Sequence, residues 1–329
     1  MRVLVTGADG YVGSVLGPLL EREGIDWAGM DTGYFRGCGW TERSWQRVSS
    51  RDVLDLTEAD LRGFDAICHL AAISNDPMGE ISAALTRRVN FEGTVRLART
   101  ARAAGVKLFL FSSSCSVYGK RGEAALTETD PTDPQTAYAH SKVDAEAAIL
   151  GLATRDFSVI VLRNATAYGE SPNLRLDLVV NNLSAHAFTE RRILIKSDGT
   201  PWRPLVHAED MSRAFIAFLR ADFRALSGET FNVGSMAQNY RVSEIAERVG
   251  QAFPDCRIEY SPTPDVDSRS YRVDFSKLAK ALPGFACRRD VAETAGVLAR
   301  VFADVRLDGA SFDSGRFIRL KALKQALHL

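Results

Sequence analysis

Directly after Met1 the chain runs Arg2-Val3-Leu4-Val5-Thr6 and then, with no intervening residue, Gly7-Ala8-Asp9-Gly10-Tyr11-Val12-Gly13. No other stretch of its 329 residues restricts the fold so strongly. The short β-branched run reads as a buried strand, and the apolar periodicity of Val12–Glu21 reads as a helix. Gly7 suits a tight turn out of the strand, Gly10 leaves room for a pyrophosphate, and Gly13 lets helix and strand pack closely. The helix N-terminus, with Asp9, Tyr11 and Val12 beside it, then faces the phosphates. A second strand, Ile25–Asp31, ends on Asp31. A carboxylate at that distance from the glycines accepts hydrogen bonds from both hydroxyls of an adenosine ribose and repels a 2′-phosphate. Arg36 follows a few residues on and leaves some use of the phosphorylated dinucleotide open.

The alternation continues. Arg47–Asp55 reads as a short strand and turn, with Asp52 and Val53 flanking the adenine. Phe64–Ala72 is a buried strand whose end, Leu70, Ala71 and Ala72, lets a cofactor backbone pass close. Glu80–Ala104 reads as one long helix stopped by Gly105. Val106–Phe111 is a strand that runs into Ser112–Gly119, and Phe157–Arg163 is another. Strand and helix repeat to about residue 170, which predicts an α/β fold with a doubly wound parallel sheet and right-handed crossovers.

After Gly169 the pattern changes. Leu176–Glu190, Ala208–Ala221 and Val242–Ala252 read as helices. Ile193–Ile195, Phe231–Val233 and Arg257–Tyr260 read as strands, and Phe312–Leu329 as a final amphipathic helix. We expect residues 1–170 to bind the dinucleotide. Residues 171–329 should form a smaller α+β portion that binds substrate, packed intimately on the first and able to return strands to its sheet. His69 has no acidic partner nearby in sequence and reads as a packed structural histidine. The loop Thr32–Ser44 receives no role.

Tyr138 and Lys142 stand four apart in an Ala-rich stretch, preceded by Asp133-Pro134, that predicts a helix to about Leu150. Both project from one face. An ammonium about 4 Å from a phenol, at an effective dielectric near 20, favours the phenolate by up to roughly 4 kcal/mol. That would draw a tyrosine from ~10 toward neutrality. Such a tyrosine can take a proton from an alcohol while hydride leaves the carbon.

Lys+Arg and Asp+Glu are both 41, so net charge is zero and no basic excess argues for nucleic acid or an anionic membrane. No apolar run of about 18 residues predicts a transmembrane helix. The five cysteines are scattered and lack CxxC spacing; they read as reduced thiols of a cytoplasmic protein, without metal.

Thr6-Gly7-x-x-Gly10-x-x-Gly13, Asp31, His69–Ala72, Asn90, Ser112-Ser113-Ser114-x-x-Val117-Tyr118-Gly119 and Tyr138-x-x-x-Lys142, in that order, resemble the extended short-chain dehydrogenase/reductases, a Rossmann-type group. More narrowly the chain resembles the NAD-dependent epimerase/dehydratase family acting on nucleotide sugars. The match runs on through Arg163–Gly169, Trp202–Asp210 and Arg269–Lys277 and covers nearly the whole chain. The resemblance implies NAD as cofactor and a nucleotide sugar as substrate. It makes Tyr138 the acid/base, Lys142 the holder of the nicotinamide ribose, and Ser114 a hydrogen-bond donor at the reacting oxygen. It places Ser114, Cys115, Ser116, Asn164, Thr166, Asn181, Arg203 and Arg269 (with Arg272 as rival) against the substrate. It also implies a homodimer in which Glu80–Ala104 and Tyr138–Leu150 pair across a two-fold axis.

Two departures stand out. The dehydratase branch carries an Asp-Glu pair where this chain has Cys115-Ser116, and the usual Asn-Val-Tyr-Gly reads Thr166-Ala167-Tyr168-Gly169, with Asn164 two residues away. Epimerisation through a transient keto-sugar, with hydride transfer most readily at C4, is therefore the first expectation. Reduction of a keto-sugar and an atypical dehydration are the alternatives. A non-catalytic dinucleotide sensor would keep the glycines and lose Ser114, Tyr138 and Lys142.

Overall fold

The computed structural model describes residues 1–41, 47–261, 270–312 and 314–326. Arg269, part of the Thr32–Ser44 loop and the last residues of the expected C-terminal helix lie outside the described residues. In chain order the strands are β1 Arg2–Thr6, β2 Asp26–Asp31, β3 Val48–Ser50, β4 Ala66–His69, β5 Leu108–Ser114, β6 Lys120–Leu126, β7 Ser158–Asn164, β8 Thr166–Tyr168, β9 Arg192–Ile195, β10 Trp202–His207, β11 Thr230–Val233, β12 Asn239–Arg241, β13 Arg257–Tyr260 and β14 Ser270–Val273.

Seven of them form one sheet in the order β3-β2-β1-β4-β5-β7-β11, and every pairing in it is parallel. The order reverses between β1 and β4, which opens a crevice at their carboxyl ends. Side chains alternate along each strand, so each strand feeds two cores. Val3, Val5, Leu108, Leu110, Ile160 and Leu162 face the layer holding Leu16, Leu20, Phe215 and Phe218 of the helices Gly13–Arg22 and Ala208–Arg220. Leu4, Phe109, Phe111, Val159 and Val161 face Val95, Leu97, Ala145 and Ile149 of the helices Thr94–Ala103 and Ala137–Leu150. Burying a Leu or Phe of this kind contributes about 1.5–3 kcal/mol, which is why both faces are covered.

The later half builds a second core from Val179–Glu190, Val242–Gly250 and Val291–Asp304. Two small sheets, β12-β10-β8 and β13-β9, flank it, and a third, β14-β6, packs Leu126, Tyr271 and Val273 against the first core. The later half also returns β11, which pairs with β7 in register Thr230↔Val161 to Val233↔Asn164.

Some elements differ from the sequence expectation. The stretch Glu80–Ala104 is not one α-helix: Ala83–Arg87 leads into a wider, π-type turn over Arg88–Gly93, and α-helix resumes at Thr94–Ala103. Asn90 sits in that turn and explains it. Its amide spans Ile73 N and Ile73 O at 2.8 and 3.1 Å, and Thr94 Oγ1 donates to Asn90 O at 2.6 Å, so the helical ladder is diverted. Of the expected helix Phe312–Leu329, the described α-helix is Arg319–Ala326, which starts late because Phe317 before it is buried and its carbonyl accepts Leu176 N at 2.9 Å; a short helix, Gly309–Phe312, precedes it. Strand β6 and the helix Val291–Asp304 were not expected.

Candidate active site

Gly7 has φ +73°, and a Cβ there would lie 2.6 Å from Ala71 N. Only a glycine lets the loop after β1 close onto the end of β4. A Cβ on Gly13 would overlap Gly7 O. The loop is therefore pinned against its own helix, and Gly10, Tyr11, Val12 and Gly13 at the helix N-terminus line the crevice. Asp31, at the end of β2, accepts Gly33 N at 2.9 Å and Asp9 N at 3.1 Å. Its burial pushes its carboxyl above the usual carboxylate range. Arg36 pairs with Asp9 at 2.7 Å, and its charge offsets part of that rise.

A cavity of about 490 Å³ extends from this loop, within the range of small-molecule sites. Its wall includes Gly7, Gly10, Tyr11, Val12, Gly13, Asp31, Asp52, Val53, Leu70, Ala71 and Ala72, and, further along, Ser114, Ser116, Tyr138, Lys142, Asn164 and Thr166. Asp9 is fully buried behind the loop. The fold thus brings the glycine loop and the Ser/Tyr/Lys residues, which lie more than a hundred positions apart, into one crevice.

The helix Ala137–Leu150 presents Tyr138. Thr136 caps it by accepting Ala139 N at 3.1 Å, and Glu80 accepts Ala137 N at 2.8 Å. Gly79 packs directly on Tyr138: a Cβ there would lie 3.1 Å from Tyr138 Cβ. Ser114, the last residue of β5, hydrogen-bonds the Tyr138 hydroxyl in a way that favours the phenolate. Ser116 N and Ser116 Oγ both donate to Ser114 Oγ, at 3.1 and 2.9 Å, which leaves the Ser114 proton for another acceptor. Lys142 is 2% exposed; its Nζ donates to Ser112 O at 2.8 Å and lies 5.7 Å from the Tyr138 ring centroid.

The electrostatics correct one expectation. Tyr138 is raised above its ordinary value, chiefly by burial and then by Asp76. Lys142 is pushed down to about 7 by burial, against the pull of Glu146. Burial thus presses each group toward its neutral form.

Three residues expected at the substrate do not line the cavity. Cys115 is buried, donates to Arg163 O at 3.1 Å, and its thiol is raised by burial. Asn181 is spent on structure: it accepts Gly169 N at 2.8 Å and donates to Gly169 O and Arg175 O at 3.0 and 2.8 Å. Arg203 is buried on β10 with Nη1 on Trp202 O at 2.7 Å. Arg272, the alternative to Arg269, stacks on Trp202 with its guanidinium 4.8 Å from the ring centroid. His69 is the packed histidine expected. Thr6 and Thr94 hold its two ring nitrogens at 2.7 and 2.8 Å, and burial lowers it to about 3.

Several wall residues had no sequence signal strong enough to find: Tyr34, Phe35, Asn75, Arg175 and Tyr271. Asn75 has φ 86°, a strained value for a non-glycine residue, held by Met78 N and by its own donation to Asp177 at 3.0 Å each. Tyr34 and Phe35 come from the Thr32–Ser44 loop, which is fixed by Trp40 Nε1 on Ser171 O at 2.6 Å.

The profile of the NAD dependent epimerase/dehydratase family matches residues 3–234. The chain is 31% identical over 314 residues to a UDP-glucose 4-epimerase of Mycolicibacterium smegmatis, covering 89% of this chain and 97% of that enzyme. It is 25% identical over 286 residues to a dTDP-D-glucose 4,6-dehydratase of Mus musculus, covering 82% and 78%. Among solved structures it is similar to MoeE5 in complex with UDP-glucose and NAD, with TM-score 0.78, 27% identity, and coverage of 93% of this chain and 100% of that one. Glycine loop, Ser/Tyr/Lys crevice, profile and relatives agree: the chain is an enzyme of the NAD dependent epimerase/dehydratase family, whose relatives here act on nucleotide sugars.

Proposed function

We propose that this enzyme is an NAD-dependent nucleotide-sugar epimerase working through a transient keto-sugar. The observation that carries the reading is the placement of Ser114, Tyr138 and Lys142 in one cavity wall, continuous with the glycine loop and Asp31. The residues fit NAD: a glycine turn that excludes any Cβ for the pyrophosphate, and a carboxylate at the end of β2 for the ribose. When bound, the oxidised nicotinamide supplies the hydride acceptor and a positive charge. Tyr138 takes the proton of the sugar hydroxyl, most readily at C4, and Ser114 donates to the same oxygen. Lys142 holds the nicotinamide ribose, and its charge offsets the phenolate. Hydride return to the other face of the ketone gives the epimer. Similarity to UDP-glucose 4-epimerases supports this reading. So does Cys115: a buried thiol raised by burial, standing where the dehydratases carry an acid, makes a poor donor to a leaving hydroxide.

Incubation with catalytic NAD and a panel of nucleotide sugars, UDP-glucose among them, with products identified by NMR, tests the reading. An epimer of one of them is expected, and a 4-keto-6-deoxy product would replace the reading with dehydration. We further propose a homodimer built on the helices Thr94–Ala103 and Ala137–Leu150. Their exposed sides carry Arg96, Arg99 and Arg102 on one and Asp144 on the other, and those charges complement each other across a two-fold axis. Sedimentation should give two chains per particle; one chain would remove the dimer.

A further inference from the structure

The crevice is closed on one side by the end of the chain. The helix Arg319–Ala326 packs on the turn Asp76–Gly79, and its Arg319 and Leu323 share the cavity wall with Gly10 and Tyr11. Arg319 is 2% exposed. Its Nη2 donates to Asn173 O at 3.1 Å, and its guanidinium lies 4.7 Å from the Phe35 ring centroid. Its Nη1 is buried without any hydrogen-bond partner. Asp177 is already held by Arg175 in a two-pronged pair at 2.9 and 2.8 Å. Burial weighs most against the Arg319 charge and Arg175 adds repulsion, while Cys38 and Asp177 offset part of it. A buried cation with an unmet donor is costly unless an anion joins it. The surroundings indicate which anion. Asn173, which holds Arg319 through its carbonyl, donates its side-chain amide to Asp9 O in the glycine loop, and Phe35 lies just beyond Asp31.

We infer that Arg319 is a dinucleotide-binding residue: its guanidinium meets the pyrophosphate of the bound cofactor, so that the C-terminal helix straps the dinucleotide into its crevice. This rests on the assignment of NAD above. Guanidinium forks suit phosphate oxygens, and the strap complements the backbone N–H groups of the loop. It also accounts for a buried guanidinium whose Nη1 has no hydrogen-bond partner. A cofactor that must stay through a whole epimerisation cycle gains from such a strap, because release then requires the helix to lift.

The test uses Arg319→Met, which keeps the volume and removes the charge, in protein stripped of nucleotide. NADH binding is followed by fluorescence, UDP binding by calorimetry, and melting temperature with and without NADH. NADH should bind at least ~10-fold more weakly, with faster release and UDP affinity unchanged. The nucleotide-free variant should melt no lower than wild type, because losing the buried charge and its unmet donor offsets the lost Asn173 contact, and NADH should raise its melting temperature less. NADH affinity unchanged from wild type overturns the inference, as does a loss confined to UDP. Should Arg319→Met fail to fold, Arg319→Lys serves: it keeps the charge but not the fork, NADH should bind more weakly, and unchanged affinity again overturns the inference. Wild-type protein that binds no NADH sinks the cofactor assignment itself, a result separate from either variant's.

Discussion

At the residue scale, burial shifts Tyr138 and Lys142, four apart on one helix, each toward its neutral form. With Tyr138 raised and Lys142 near 7, the proton abstraction proposed for Tyr138 would draw on the charge of the bound cofactor. Tyr138→Phe should leave dinucleotide binding intact and lower kcat by about 10²–10⁴-fold, the range for general acid–base groups. Retention of more than about a tenth of the rate would mean less than ~1.4 kcal/mol depends on that hydroxyl, and the role would be wrong. Lys142 carries a pH signature as well. Below about 7 folded and unfolded chains both hold its proton, and the burial cost is fully present. Between about 7 and its ordinary 10.5 only the unfolded chain holds it, so stability rises with pH across that window. In the nucleotide-free enzyme, the gain in melting temperature from Lys142→Met should be largest near pH 6 and shrink toward pH 10 (roughly the unfolded value). A pH-independent difference between the two proteins would contradict the buried, depressed amine.

Between elements, the catalytic helix is tied to the sheet by one buried network. Glu146, one turn after Lys142, receives Arg163 of β7 at 2.8 and 3.1 Å, and Arg163 Nη1 donates to Tyr118 OH at 3.0 Å. Tyr118 in turn donates to Asn232 of β11 at 2.7 Å. Arg163→Met strands Glu146 as a buried carboxylate, and we expect about 3–5 kcal/mol of lost stability, read from urea unfolding. A loss under about 1 kcal/mol would place the pair among the weak surface type. None of this network was legible in the sequence, because it joins residues that only the sheet order makes neighbours. What was legible is local or periodic. The glycine spacing, the alternating strands and the Ala-rich helix each bury a face or need a turn that short-range sequence dictates. The misses have the opposite cause. Glu80–Ala104 reads as one helix by periodicity, and the side chain of Asn90, reaching Ile73, diverts it. Strand β6 is mostly polar and forms only because it pairs with distant β14. The family resemblance puts Arg203 and Asn181 at the substrate, yet tertiary packing buries both and neither lines the cavity.

Across the whole molecule, the seven-strand sheet provides the switch-point crevice, and the later half adds Arg175, Leu178, Met211 and Tyr271 to its wall while lending β11 to the same sheet. An enclosed site of this kind suits a reaction in which the ketone must turn over and receive hydride on its other face before it escapes. That is the central claim, and the cofactor balance tests it most directly. Supplied with its nucleotide sugar, catalytic NAD and no reductant, the enzyme should convert substrate to an epimer over many turnovers per NAD, with no stoichiometric change in absorbance at about 340 nm, because hydride returns to the sugar it left. A rise or fall of NADH matching product one for one would show net oxidation or reduction and contradict epimerisation.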